Sequence, residues 1–88
     1  MRIWKYAIKI TDEQILHLPR GYKILSVANQ TGVLCMWVLV TPEHEERKVC
    51  VRIVGTGNPM PNMFGFKFLD SVVISSFVWH VFVAGMGD

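Results

Sequence analysis

Charge is scarce in this chain of 88 residues. Asp, Glu, Lys and Arg make up 18% of it, where an ordinary globular domain carries roughly 25%. The balance is only +2, and the basic residues stand singly along strand-like segments (Lys5, Lys9, Lys23, Arg47, Arg52). That pattern lacks the clustered basic face an electrostatic nucleic-acid binder needs, so nucleic acid is an unlikely partner on this reading. No apolar run reaches the roughly 18 residues that cross a bilayer. Met1-Arg2-Ile3-Trp4-Lys5 has no continuous apolar segment of signal-peptide type. The expectation is a cytoplasmic protein without a membrane partner.

Chemistry-bearing residues are equally sparse. The two cysteines, Cys35 and Cys50, have no metal-ligand spacing and lie inside strand-like segments, as buried reduced thiols do. His17, His44 and His80 are scattered, with no Cys or carboxylate at fixed offsets, so no metal is expected. Ser26, Ser71, Ser75 and Ser76 lack a glycine-flanked elbow, and no Asp is placed to orient a histidine. Glu43, Glu45 and Glu46 crowd one turn and read as a solvated cluster, not a paired acid and base. These absences point away from an enzyme and from any cofactor.

What the chain has is apolar strand sequence: 51% of it is hydrophobic. A single domain of this length hides roughly 60–65% of its unfolded surface, less than so apolar a composition asks. A homodimer or a protein partner is therefore expected to cover the surplus. The segment Ile3–Ile10 alternates, with Trp4, Tyr6, Ile8 and Ile10 opposite Lys5 and Lys9. Residues 11–20 read as a loop, with at most one helical turn capped by Thr11 and Gln14 and stopped by Pro19.

A second strand spans Tyr22–Asn29, and Gln30-Thr31-Gly32 makes a hairpin connection into Val33–Val40. That third strand is apolar on both faces, which marks it as central and covered on both sides, or covered by a partner. Arg47–Val54 alternates with Val49, Val51 and Ile53 inward, and reads as a hairpin with the strand before it across the Thr41–Glu46 turn. Phe66–Ile74 and Phe77–Val83 complete about six strands, hinged at Ser75-Ser76. The last is crowded with β-branched and aromatic residues and reads as buried. The fold expected is mainly β: a single-domain antiparallel sandwich or small barrel over residues 1–88. Trp4, Tyr6, Trp37, Phe66, Phe68, Phe77, Trp79 and Phe82 read as core, not as a base-stacking platform, because the first strand sets its aromatics opposite its lysines.

Two features are candidates for binding. Gly55-Thr56-Gly57-Asn58 is a turn whose successive N–H groups could form a nest for an anion, with Arg52 upstream as a counter-charge. It lacks the spacing and following helix of a phosphate-binding loop. His80 interrupts the apolar last strand, on the face opposite Phe77, Trp79 and Val81. The plainer readings are a tight strand-ending turn and a hydrogen-bonded histidine.

Several blocks carry a likeness: Trp4-Lys5-Tyr6 leading to Ile10-Thr11-Asp12-Glu13-Gln14, and Leu18-Pro19-Arg20-Gly21 before Ile24-Leu25-Ser26-Val27. It continues through Gln30-Thr31-Gly32-Val33-Leu34-Cys35-Met36-Trp37 and Gly55-Thr56-Gly57, and closes on Val78-Trp79-His80-Val81-Phe82. In these the chain resembles a family of small, functionally uncharacterised proteins of bacteriophages and prophages, and the tail Ala84–Asp88 departs from it. The resemblance implies phage origin and a compact β fold, and no catalytic residues. With the missing catalytic constellation, it leads to one expectation: a non-enzymatic accessory protein in the host cytoplasm that binds a host protein. That host component could be a bacterial defence complex, which would make the protein an antagonist such as an anti-CRISPR. The alternatives are a protein that binds and sequesters a nucleotide signal at Arg52, Gly55, Thr56, Gly57 and Asn58, or a virion or assembly component.

Overall fold

The computed structural model describes residues 1–86 and contains seven strands and no helix. The strands are β1 (Arg2–Ile8), β2 (Glu13–Pro19), β3 (Lys23–Gln30), β4 (Val33–Val40), β5 (Glu46–Gly55), β6 (Lys67–Ile74) and β7 (Phe77–Gly85). They form two antiparallel sheets, one ordered β1-β4-β3 and the other β2-β5-β7-β6. Two faces of alternating strands close over one core, so the architecture is a sandwich and not a closed barrel. Gly87 and Asp88, the end of the divergent tail, lie outside the described residues.

Period-two alternation decides which side chains meet. Leu34, Met36, Val38 and Val40 of β4 point inward, as do Val49, Val51 and Ile53 of β5, and all are buried. Ile8, Leu18, Val27, Val72, Val81 and Val83 complete the cluster. β7, the last strand, lies between β5 and β6, which makes the chain's end central in its sheet. The layers approach most closely where β3 meets β6, and there Asn29 Nδ2 donates to the Val73 carbonyl at 3.2 Å. Both these edge strands carry a bulge, at Leu25 in β3 and at Leu69 in β6, which twists and bends each edge locally.

The aromatics expected as core are not in it: Phe77 is 63% exposed, Phe68 51% and Trp4 38%, only Tyr6 and Trp79 pack partly against the buried cluster, and aliphatic side chains with Met36 fill the interior instead. The structure corrects two further sequence expectations. Residues 13–19 are a strand, β2, paired to β5, where a loop with a helical turn was expected. Gln14, Leu16 and Leu18 face inward while Glu13, Ile15 and His17 are exposed. β2 is an edge strand, so Pro19 at its end costs no ladder bond. Gln14 does not cap a helix: its Nε2 donates to the Lys9 carbonyl at 2.7 Å, and its Oε1 accepts from the Lys9 N–H at 3.2 Å. The side chain thus ties the crossover between sheets.

The second correction is that β4 and β5 do not form a hairpin. β4 already has β1 and β3 on its two edges, so no edge is left for β5. The chain instead crosses at 41–45 to the other sheet, and Arg20 N–H donates to the Glu45 carbonyl at 2.8 Å beside that crossing. The β3–β4 connection is as expected: Thr31 (φ 50) and Gly32 (φ 88) fill a two-residue turn with both φ positive, the arrangement that matches strand twist in tight hairpins.

Candidate functional site

Gly55 ends β5 opposite Trp79. A Cβ on it would sit 2.9 Å from Asn58 Nδ2 and 3.0 Å from Trp79 Cζ3, so only glycine lets the turn close against the indole. The Asn58 N–H donates to the Gly55 carbonyl at 3.1 Å, and Gly57 takes φ +90 at the third position, as a type II turn requires. The Thr56 N–H donates to the Val78 carbonyl at 3.1 Å. Two N–H groups of the expected anion nest therefore already have acceptors.

His80 joins this turn to the sheet. Its Nε2 lies 2.8 Å from Thr56 Oγ1 and its Nδ1 lies 2.7 Å from Ser71 Oγ. A neutral imidazole offers one donor and one acceptor, so one hydroxyl donates to it and the other accepts. The Ser71–His80 separation is that of a nucleophile and its base. Both ring nitrogens, however, are taken by hydroxyls, leaving no position for an orienting carboxylate. The chain Thr56–His80–Ser71 links the β5–β6 loop to β7 and β6 as a clamp.

Arg52 has other partners. Nη1 donates to the Asn62 carbonyl at 2.6 Å, Nη2 pairs with Glu13 Oε2 at 3.3 Å, and the guanidinium lies 4.4 Å from the Phe66 ring centre. It fastens the 56–66 loop to the sheet. Nearby, Glu13 Oε1 accepts from the Cys50 thiol at 3.3 Å. Burial pushes the Cys50 thiol above its ordinary value of 9.0, with the hydrogen bond and negative charge of Glu13 adding to the shift and Arg52 opposing it.

Of the expected site residues, the structure brings Thr56 and His80 into contact, and Gly55, Gly57 and Asn58 shape the turn beside them, while Arg52 is engaged by the loop and Glu13. A cleft of about 450 Å³ lies along the same loop, lined by Asp12, Ile53, Val54, Asn58, Pro59 and Met60 among others. Among the described residues, no three His, Cys, Asp or Glu side chains come close enough together to hold a metal ion, and no helix is long and apolar enough to cross a membrane.

A feature not marked as a site from sequence is the outer face of the β1-β4-β3 sheet. The register sets Ile3, Lys5 and Ala7 beside Leu39, Trp37 and Cys35. On the other side lie Lys23, Ser26 and Ala28, with Gln30 opposite Val33. Ile3 is 60% exposed and Val33 46%, while Trp37 and Leu39 are half-buried. Lys5 Nζ donates to Gln30 Oε1 at 2.8 Å, reaching from β1 to β3. Between their rows lie Ala7, Cys35 and Ala28, and Cys35 is buried there although it lies on the sheet's outer side. The signal was present in β4, whose eight residues are apolar on both faces.

These observations define an all-β sandwich of two antiparallel sheets with apolar side chains exposed on the outer side of each, Ile3 and Val33 on the three-stranded sheet and Phe68 and Val73 on the four-stranded one. The chain belongs to the family described as domain of unknown function DUF7352, whose model matches residues 1–86. No curated protein and no solved structure matches it.

Proposed function

We propose that the protein is a non-enzymatic binding module that docks the outer face of its β1-β4-β3 sheet onto another protein. The carrying observation is β4: its inward residues fill the core, while Val33, Trp37 and Leu39 lie on the outer side, Val33 46% exposed and Trp37 and Leu39 half-buried, with Ile3 of β1 beside Leu39 60% exposed. Apolar strands on both faces belong in covered layers, and exposed apolar patches rimmed by polar residues mark interaction sites. The resemblance to phage and prophage proteins directs the search for the partner to a host component, with defence complexes, CRISPR effectors among them, tested first.

The test is a quantitative pulldown from bacterial lysate with the native chain beside an Ile3→Ser, Val33→Ser variant. Both residues are substantially exposed, so the variant keeps its fold. At least one protein retained stoichiometrically by the native chain and lost from the variant is expected. Identical retained sets would contradict docking through this face. Unchanged phage plating on hosts that express the protein and carry different defence systems would remove the antagonist role. Labelling of Ser71 by a fluorophosphonate would overturn the non-enzymatic part.

A further inference from the structure

The charge on this outer face says what kind of surface it fits. The β1-β4-β3 sheet carries Arg2, Lys5 and Lys23 and not one Asp or Glu, a charge of +3. The rest of the described chain is neutral: six basic residues remain of nine, against six acidic, Asp88 being the seventh acid. Lys5 and Lys23 project on the outer side, in register with Trp37 and Leu39 respectively. Asp70 comes near only at the flank, lining a small cleft with Leu25 where β3 meets β6. Arg2, in register with the inward-facing Val40, lies on the sheet's other side, so the outer face itself carries two positive charges and no acid.

We infer that this face binds an acidic protein surface with an apolar centre. This rests on the docking reading above and names the partner's chemistry. A second copy fits poorly. A two-fold contact sets the same patch against itself, bringing two pairs of lysines together with no acid from either side, and like charges facing one another across an interface are costly. A nucleic acid fits poorly too. Ile3, Val33 and Leu39 are aliphatic and offer no stacking plane, Trp37 is the one aromatic on this face, and two lysines neutralise few phosphates. Aliphatic residues flanked by lysines match instead a surface where Leu or Val alternates with Glu or Asp.

The experiment follows backbone amide NMR shifts of the full chain titrated with three probes: a dodecapeptide alternating Glu and Leu, its Lys-Leu counterpart, and a twelve-residue oligothymidine. The Glu-Leu peptide is expected to shift amides of β1, β4 and β3, with affinity falling as salt is raised. A Lys5→Glu, Lys23→Glu variant should bind it at least tenfold more weakly while keeping its far-ultraviolet dichroism. Equal binding of the Lys-Leu peptide, stronger shifts with oligothymidine, shifts that grow with protein concentration alone, or no response on these strands would each overturn the inference. If the acidic peptide fails while the pulldown still separates native chain from variant, the partner chemistry is wrong and docking stands. If both fail, the docking reading falls with it.

Discussion

Two isoleucines on one strand test whether the β1-β4-β3 sheet has one covered and one open side. Ile8 points into the core and is 4% exposed, whereas Ile3 projects outward and is 60% exposed. Truncating each to alanine makes the same chemical change in the same strand, so propensity and unfolded-state terms largely cancel. At Ile8 the lost contacts leave a cavity, and such truncations cost about 2–5 kcal/mol. At Ile3 only about two-fifths of the side chain's burial is lost and no cavity forms, which gives roughly 0.6–1.2 kcal/mol from a full-burial value of about 1.5–3. A domain of this size has roughly 4–13 kcal/mol in total, so Ile8→Ala spends a large part of it. Urea unfolding at 25 °C, followed by far-ultraviolet dichroism at two protein concentrations, measures both. In thermal scans that gap of about 1–4 kcal/mol should appear as roughly 4–30 °C. Equal losses at the two positions would refute the reasoning, because Ile3 would then be covered in solution.

Three further outcomes follow from the loop and the titrating groups. Gly55→Ala should cost about 1–3 kcal/mol through overpacking against Trp79 and Asn58, and Trp79→Leu in the same chain should recover part of it in a double-mutant cycle. Arg52→Ala removes the bond to Asn62 and the contact with Phe66, so amides of 62–66 should exchange faster with hydrogen–deuterium readout while β7 stays protected. The same variant bears on the nucleotide alternative: a thermal shift with cyclic or phosphorylated nucleotides that Arg52→Ala abolishes would restore that reading. Burial holds the Tyr6 and Tyr22 phenols above 10.0, with Glu46 adding at Tyr6, and the Cys50 thiol above 9.0. The folded chain therefore keeps these protons more tightly than the unfolded one. The contribution of these three groups to stability should be constant below about pH 9 and fall as pH climbs through the raised values. A urea midpoint constant from about pH 8 to 11 would contradict this.

Much of the fold was legible because period-two patterning reports directly on burial. Val49, Val51 and Ile53 face inward as their spacing predicts, and Phe77–Gly85 is a strand as its β-branched and aromatic content predicts, although only Val81 and Val83 of it are buried. β2 was missed because Pro19 and the Thr11–Gln14 pair resemble helix punctuation, and an edge strand tolerates both. The supposed β4–β5 hairpin failed for a different reason. Adjacent strands usually pair, but pairing depends on free edges, and β1, far away in sequence, had taken one of β4's.

The candidate site was legible only as a set of residue types. Nothing in the spacing of Thr56, Ser71 and His80 announces that two hydroxyls bracket one imidazole, since the contact depends on how β5, β6 and β7 line up. Arg52 looked like a free counter-charge because Glu13 is 39 residues away and sits on the strand that was read as a loop. The outer face was half visible: β4 was apolar on both sides, but only the sheet order and register show that Trp37 stays half-buried while Ile3 and Val33 on the same side are exposed.

The most direct measurement places a photo-crosslinking benzoylphenylalanine at position 37, and separately at position 71 on the other sheet, in cells that contain the partner. Docking through the three-stranded face predicts a discrete protein adduct from position 37 and none from position 71. Adducts from position 71 alone, or from neither, would contradict it.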